Sequence, residues 1–146
     1  MTISMTIHVI PKAQMRARSC FIQPKGRKGF ISHYKHSKQQ DHEGIFKQIA
    51  YQYAPDELIT GAISLDFIAY LPRPKSHYGT GRNADVLKST APKYHIVKPD
   101  KDNLEKFIKD CMTGIFYKDD CQIVSSTARK VYSESPRWEI SLTELT

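Results

Sequence analysis

The sequence has no uninterrupted apolar stretch that approaches 18 residues, which is about the length that a membrane-spanning helix requires. Its first residues alternate Ser and Thr with apolar side chains and lack a basic start before an apolar core, so they predict a strand rather than a signal peptide. No internal repeat or low-complexity tract occurs. We therefore expect a cytoplasmic protein with a single domain over residues 1–146.

Cysteine is scarce, and its spacing excludes two classes of small protein. Cys20, Cys111 and Cys121 are widely separated and form no C-x-x-C pair. An odd number at this spacing disfavours a disulfide framework, and no His lies at zinc-finger spacing from these residues. We expect reduced, inert thiols that are buried or half-buried.

Acidic residues are absent from the first 40 positions, which carry a net charge of +8. Residues 72–99 are also basic at +5, whereas residues 41–71 carry −4 and residues 100–146 carry −2 within the total of +7. A uniformly basic surface could serve solubility alone. Clustered cations beside clustered carboxylates instead indicate a polyanion held next to a divalent metal ion.

Hydrophobic periodicity predicts the order of the secondary structure elements. Alternating or β-rich apolar runs predict strands at residues 3–10, 61–71, 122–132 and 137–145. Helical spacing predicts amphipathic helices at 38–53, through Ile45, Phe46, Ile49 and Tyr53, and at 102–113. The strand at 61–71 is the strongest and is expected to be central. This order indicates an α/β or α+β fold in which two main helices cover one mixed sheet.

The two basic segments are predicted to be mobile loops, at about 12–38 and 72–99. The first contains two short β-rich runs, at 20–23 and 29–32, which indicate a ragged hairpin. The second contains prolines and glycines and few apolar residues. A structureless connection of that length within a compact domain is usually functional or mobile.

Carboxylates are concentrated in the run PDKDNLEK at residues 99–106 and in KDD at 118–120. Asp100 and Asp102 alternate in an extended segment, so both side chains can emerge on the same side. Magnesium prefers oxygen ligands and takes one or two protein carboxylates directly. The helix that follows would return Asp119 or Asp120 to this point only if the next segment runs antiparallel to it, which the sequence leaves open.

Each of these residues also has a purely structural explanation. Asp102 with Glu105 matches a helix capping box, and Asp119 with Asp120 matches an ordinary turn. Lys106 follows Asp102 by four residues, so it could form a surface ion pair. In an active site the same lysine, one turn into the helix, could instead stabilise the extra negative charge of a phosphoryl transition state.

The runs KPDKDNLEKFIKD and DDCQIVSSTARK, followed by a WEISLTE strand, resemble the RusA family of Holliday-junction resolvases. LPRPKSH, after the central strand, is similar to the Pro-Lys-Ser segment of that family, and the resemblance covers about residues 62–145. It implies a mixed α/β homodimer that cuts four-way DNA junctions symmetrically with magnesium or manganese. The matching metal-binding aspartates are Asp100, Asp102 and Asp120, with Asp119, a neighbour of open role, as a further candidate metal ligand, and the essential lysine is Lys106.

The same resemblance implies a branched-DNA partner and a role in recombination and repair, in a bacterial or phage-infected cell. The expected DNA contacts are Arg73, Lys75, Ser76 and Lys98, with His77, Tyr78 and Tyr94 as candidates for stacking on bases. The long loop before Asp100 is similar to phage-type members and leaves the substrate preference open. Two alternatives remain: a broader nuclease of flaps and forks, and a non-catalytic junction-binding module.

Overall fold

The computed structural model describes residues 1–15, 18–35 and 37–146, and these ranges contain six strands and two α-helices. The strands are β1 (Thr2–Ile7), β2 (Arg18–Ile22), β3 (Phe30–Tyr34), β4 (Ala62–Leu71), β5 (Ile123–Tyr132) and β6 (Arg137–Leu145). The helices are α1 (Ser37–Ala50) and α2 (Lys101–Met112), with 3₁₀ turns at Tyr51–Tyr53, Lys75–His77, Gly81–Asn83 and Asp120–Gln122. No helix in the described ranges is long and apolar enough to cross a membrane.

Four of the strands form one mixed sheet in the order β1-β6-β4-β5. The β1–β6 and β6–β4 pairs are antiparallel, whereas β4 and β5 run parallel. A parallel pair requires a long crossover, and the segment from 72 to 122, which contains α2, provides it. The predicted mixed sheet with β4 in an interior position is confirmed.

Both helices pack on the same face of this sheet, around Trp138 of β6. The ring centroid of Trp138 lies 6.0 Å from that of Phe46 in α1, 6.1 Å from that of Phe107 in α2 and 5.9 Å from that of Phe67 in β4. The side chain of Trp138 is fully buried. The apolar side chains that alternate along β4 and those that recur at helical spacing on α2 thus pack into one core. This confirms the predicted α+β arrangement.

The buried face of α1 differs from the one predicted. Phe46 is buried as expected, but Ile45 is 51% exposed, and the polar residues Gln39 and Glu43 are buried in its place. These two side chains hydrogen-bond to each other across one turn, Nε2 to Oε1 at 2.9 Å. Because they satisfy each other's polar groups, they occupy inward positions that apolar periodicity assigns to other residues.

The basic segments contain more regular structure than the sequence indicated. β2 and β3 pair as a separate antiparallel ribbon, with Phe21 opposite Ile31, so the predicted short strands are confirmed. Residues 72–99 are mostly exposed but include two 3₁₀ turns and a bridge between Tyr94 and Val131 of β5, so a structureless loop was wrong in part. Backbone hydrogen bonds within the segment supply part of this order: the Gly79 N–H donates to the Val86 carbonyl oxygen at 3.0 Å, and the Lys88 N–H donates to the His77 carbonyl oxygen at 2.9 Å.

The three cysteines are free thiols in different environments. Cys111 of α2 is buried, and burial raises the pKa of its thiol to about 12. Cys20 and Cys121 are exposed, so the expectation of burial was wrong for these two residues. Cys20 lies on the ribbon and Cys121 in a turn before β5, where no core exists to cover them.

Candidate active site

Asp100 and Asp102 lie at the first turn of α2. Asp100 is the N-cap residue, and its carbonyl oxygen accepts the first helical hydrogen bond from the Leu104 N–H at 3.1 Å. Its side chain makes no capping hydrogen bond. Both carboxylates are exposed, at the helix end where negative charge is favoured.

The capping box considered for Asp102 and Glu105 is wrong. The helix begins at Lys101, so Asp102 lies inside the first turn rather than at the cap. Glu105 instead forms an i,i+4 ion pair with Lys109, whose Nζ lies 3.1 Å from Glu105 Oε2. A capping role therefore does not account for Asp100 or Asp102.

Lys130 of β5 fixes the chain immediately before Asp100. Its Nζ donates to the carbonyl oxygen of Val97 at 2.8 Å and to that of Pro99 at 2.7 Å. Burial lowers the pKa of the Lys130 ammonium, and the nearby Asp100 carboxylate acts in the opposite direction. This lysine ties the strand to the segment that positions Asp100, a role that the sequence analysis missed.

Aromatic contacts of Tyr132, two residues after Lys130 on β5, also hold the segment before Asp100. The Tyr132 ring is 4.9 Å from the ring of buried His95 and 4.7 Å from that of His77, centroid to centroid. The Tyr132 N–H donates to the Lys93 carbonyl oxygen at 3.0 Å. The segment that precedes Asp100 is therefore packed against the end of β5.

Lys106 follows Asp102 by one helical turn and is exposed. No ion pair between Lys106 and Asp102 is found over residues 1–15, 18–35 and 37–146. The positive charge of Lys106 instead acts on Asp110, one turn further along α2, where it opposes a rise in pKa. The lysine thus lies between two carboxylates on one side of the helix.

Asp119 and Asp120 take different roles in the turn before β5. The Asp119 Oδ1 accepts from the Cys121 N–H at 2.9 Å, and Gln122 Oε1 accepts from the Asp119 N–H at 3.0 Å, which completes a capping box. The hydrogen bond from Cys121 lowers the pKa of Asp119. The structural explanation offered for this turn therefore holds for Asp119, whereas Asp120 is exposed and is not the capping residue.

Asp120 interacts electrostatically with Asp110 in the last turn of α2 and with Tyr117 beyond it. The Tyr117 hydroxyl donates to the Lys109 carbonyl oxygen at 2.9 Å. Within the part of the chain that the structure describes, no three His, Cys, Asp or Glu side chains are grouped closely enough to hold a metal ion. Asp100 and Asp102 are together, and the inclusion of Asp120 in their set stays a prediction.

A polar network that the sequence analysis missed links α2 to α1. Gln14 Nε2 donates to Asp110 Oδ2 at 3.0 Å, Gln39 Nε2 donates to Gln14 Oε1 at 3.1 Å, and Lys35 Nζ lies 2.9 Å from Glu43 Oε2. Burial raises the pKa of the Asp110 carboxyl. The spacing of Gln39, Glu43 and Phe46 on one helical face was the available signal for this network.

The predicted DNA-binding residues lie in the segment between β4 and α2. Lys75, Ser76 and Lys98 are exposed. Arg73 is braced, because its Nη1 donates to the Pro92 carbonyl oxygen at 2.7 Å and its guanidinium carbon lies 5.3 Å from the Tyr132 ring centroid. Their phosphate contacts stay a prediction, and so does base stacking by His77, Tyr78 and Tyr94.

Comparison with known proteins identifies the family to which this chain is similar. Residues 7–143 match the family model described as Endodeoxyribonuclease RusA. The chain is 33% identical to the uncharacterized protein YqaN of Bacillus subtilis (strain 168), over 98% of this chain and 96% of that protein. A stretch of 49 residues is 49% identical to the crossover junction endodeoxyribonuclease rusA of Lactococcus phage r1t, covering 33% of this chain and 37% of that protein.

These matches place the α+β domain among the endodeoxyribonuclease folds. The chain belongs to the RusA family, as the motifs in α2 and before β5 predicted.

Proposed function

We propose that this protein is a magnesium- or manganese-dependent endonuclease that resolves four-way DNA junctions by symmetric paired nicks. Membership of the RusA family supports the class of enzyme and of substrate. The observation that carries the proposal is the pair Asp100 and Asp102, which is exposed at the start of α2 with neither carboxylate used as a helix cap. The dipole of α2 favours acidic side chains here without a hydrogen bond to either of them, so the oxygens of Asp100 and Asp102 stay available to a metal ion.

The two carboxylates fit a hard divalent cation. Magnesium takes one or two protein carboxylates directly and completes its shell with water, and the exposure of Asp100 and Asp102 leaves room for both. We include Asp120 as the third ligand on the strength of its motif, and leave out Asp119 because its carboxylate caps a turn. Such an ion polarises a phosphate and lowers the pKa of a bound water.

Lys106 is assigned to charge stabilisation at the scissile phosphate. Its ammonium is exposed on α2 one turn beyond Asp102, so a phosphate held at the carboxylate pair would meet a positive charge on the same helix. A fixed cation at that point stabilises the negative charge that develops on the phosphoryl oxygens or the leaving 3′-oxygen. Lys130 acts indirectly, by holding the backbone from which Asp100 projects.

A homodimer follows from the symmetry of the proposed substrate. A four-way junction has near two-fold symmetry, so two matched nicks need two active sites related by a dyad. The basic residues Lys75 and Lys98 of each subunit would then line a shared cationic face. Sedimentation at micromolar concentration tests this part alone, and a monomer there would remove the account of paired nicks.

The test of the function is cleavage of a synthetic four-way junction in magnesium, analysed on a sequencing gel. The wild type should give symmetric paired nicks, and Asp102→Asn should give none while it binds the junction as well or more tightly. Asp56→Asn, an exposed carboxylate in the turn after α1, is the matched control and should cut normally.

The other outcomes separate the alternatives. Equal cutting of flaps, forks and four-way junctions would identify a broader structure-selective nuclease. Binding that persists in EDTA, without nicks by either protein in magnesium, would identify a non-catalytic junction-binding module. The proposed biological setting, recombination and repair in a bacterial or phage-infected cell, depends on the first outcome.

A further inference from the structure

The β2–β3 ribbon projects apolar side chains that the core does not cover. It belongs to no larger sheet, and all of its strand residues except the half-buried Ser32 are exposed. Phe21 is 66% exposed, Ile31 is 64% exposed and Phe30 is 51% exposed. A two-stranded ribbon is marginally stable in water by itself, and aromatic side chains held out on both of its faces indicate a binding surface.

The charge of the ribbon indicates what it binds. Between residues 18 and 35 the chain carries only basic charges, which are Arg18, Lys25, Arg27, Lys28 and Lys35, and the first acidic residue of the whole sequence is Asp41. Two such ribbons would repel each other, so the ribbon of a second copy is a poor partner. A polyanion with flat apolar faces complements both properties, and DNA bases exposed at a branch point provide those faces.

The base of the ribbon is attached to the helix that carries the candidate active site. The Gln14 N–H donates to the Asn103 carbonyl oxygen at 3.2 Å, next to Asp102 in the chain, and Gln14 Nε2 donates to Asp110 Oδ2 at 3.0 Å. On the returning strand, Lys35 Nζ pairs with Glu43 Oε2 at 2.9 Å. DNA that reaches Asp102 therefore passes close to the root of the ribbon.

Phe21 is the best placed of these side chains to stack on a base. Gly29 lies on the opposite chain of the ribbon, two residues before Ile31, and a Cβ at Gly29 would overlap the Phe21 ring, so the ring can occupy this position only because residue 29 has no side chain. The ring approaches Gly29 with its Cζ and Cε2 atoms, and the side chain stays 66% exposed overall. A flat ring held in this way loses little conformational entropy when a base stacks on it.

We infer that the β2–β3 ribbon is a DNA arm, in which Phe21 stacks on a base exposed at the branch point while Lys25, Arg27 and Lys28 contact phosphates. The inference rests on the proposed function, because it takes branched DNA as the substrate, and it names the element that distinguishes a branch from continuous duplex. A stacked base contributes about 1–3 kcal/mol, which corresponds to about 5- to 150-fold in affinity.

The test measures junction binding in EDTA, where no nicking occurs, so it does not depend on catalysis. Phe21→Leu keeps an apolar side chain but removes the π face, and it should weaken binding of a four-way junction at least fivefold while leaving binding of linear duplex unchanged. Phe21→Trp keeps an aromatic face and should bind the four-way junction as tightly as the wild type does. Ile45→Ala is the control, because Ile45 is an exposed apolar side chain on α1, at 51% exposure, outside the ribbon. This variant should bind the junction as the wild type does.

A second measurement addresses the phosphate contacts. Replacement of Lys25, Arg27 and Lys28 by Gln should reduce the slope of log K against log salt by about 0.9 for each phosphate contact that is lost. A junction with 2-aminopurine at the branch should also change in fluorescence when wild-type protein binds, and should not change with Phe21→Leu. The inference would be overturned if the Gln variant kept the wild-type salt slope and if wild-type binding left the 2-aminopurine fluorescence unchanged.

A second subunit is the competing occupant of this surface. If Phe21→Leu converts a wild-type dimer to a monomer in sedimentation, the ribbon is a subunit contact and the inference fails. Wild-type protein that binds junctions but never nicks them would remove the proposed function and leave the DNA arm in place. Phe21→Leu protein that binds junctions as tightly as a wild type that does nick would remove the DNA arm alone.

Discussion

The ammonium of Lys130 lies 2.7 Å from the carbonyl oxygen of Pro99, the residue that precedes Asp100. Lys130 lies near the carboxyl end of β5, a strand that is parallel to β4, so the bond joins the sheet to the start of α2. The position of Asp100 is thus set from the sheet as well as from its own helix.

Lys130→Met should reduce nicking by about 100-fold, because a misplacement of about 1 Å at a reacting centre can have that effect. Loss of charged hydrogen bonds to two carbonyls should also lower the free energy of unfolding by about 1–3 kcal/mol. Single-turnover cleavage at saturating protein gives the rate, and junction binding in EDTA should be unchanged. Lys130→Arg can still donate hydrogen bonds to the two carbonyl oxygens, so it should nick faster than Lys130→Met. Equal nicking rates for the two variants would contradict the positioning role.

Asp119 and Asp120 should respond oppositely to loss of their charge. Asp119→Ala removes the acceptor for the Cys121 N–H, so it should lower Tm by a few degrees and leave the nicking rate at 25 °C near that of the wild type. Asp120→Asn should abolish nicking with little change in Tm. A Tm loss in Asp120→Asn with normal nicking would remove Asp120 from the proposed metal site.

Glu43 should make the stability of the fold depend on pH. Burial acts to raise the pKa of Glu43, but hydrogen bonds from Gln39 and Lys35 outweigh it, so the folded-state pKa is lowered. Stability from this group is therefore fully present above the unfolded pKa of about 4.3 and is lost as pH falls through the lower, folded value.

Glu43→Gln should accordingly lower the free energy of unfolding at pH 7 by about 1–3 kcal/mol, since a charged hydrogen-bonding partner of Lys35 is lost. The difference from wild type should shrink as the pH falls below about 4.3. Urea unfolding across that range provides the measurement. A difference that grows towards acid pH would mean that the folded-state pKa of Glu43 is raised instead.

Metal binding can be measured apart from catalysis by thermal unfolding. A ligand that binds the folded state stabilises it by about 2.7 kcal/mol at 100 times its Kd, so manganese or magnesium should raise the Tm of the wild type. Asp100→Asn and Asp102→Asn should each weaken that response, whereas Asp56→Asn should retain it. Equal shifts in all four proteins would show that the ion binds elsewhere.

The sequence was sufficient for elements whose side chains alternate between core and solvent. β4 and α2 follow their apolar patterns closely, because the sheet and the helices bury those side chains around Trp138. Ile45 departs from its pattern because Gln39 and Glu43 bury themselves as a hydrogen-bonded pair, which hydrophobicity alone cannot detect.

The candidate site was predictable in its residue types but not in its contacts. The start of α2 lies one residue earlier than expected, at Lys101, and this single shift removes Asp102 from a capping role. Lys130 could not be foreseen, because it bonds to backbone carbonyls of Val97 and Pro99, which have no residue-type signal and lie far away in the chain. Likewise, whether Asp120 joins the carboxylate pair depends on the path of the chain after Gly114.

The pairing of β1 with β6 sets the order in which the chain can fold during synthesis. β1 is made before the other five strands, yet Ile7 pairs with Trp138 and Thr2 with Thr143, so its neighbour in the sheet is made after all of them. A ribosome that stalls before β6 leaves β1 without its hydrogen-bonded partner and leaves the β6-facing edge of β4 unpaired. Chains that lack β6 should therefore be substrates for chaperones and proteases rather than partly active nucleases, because contacts of such long range form only after β6 has been made.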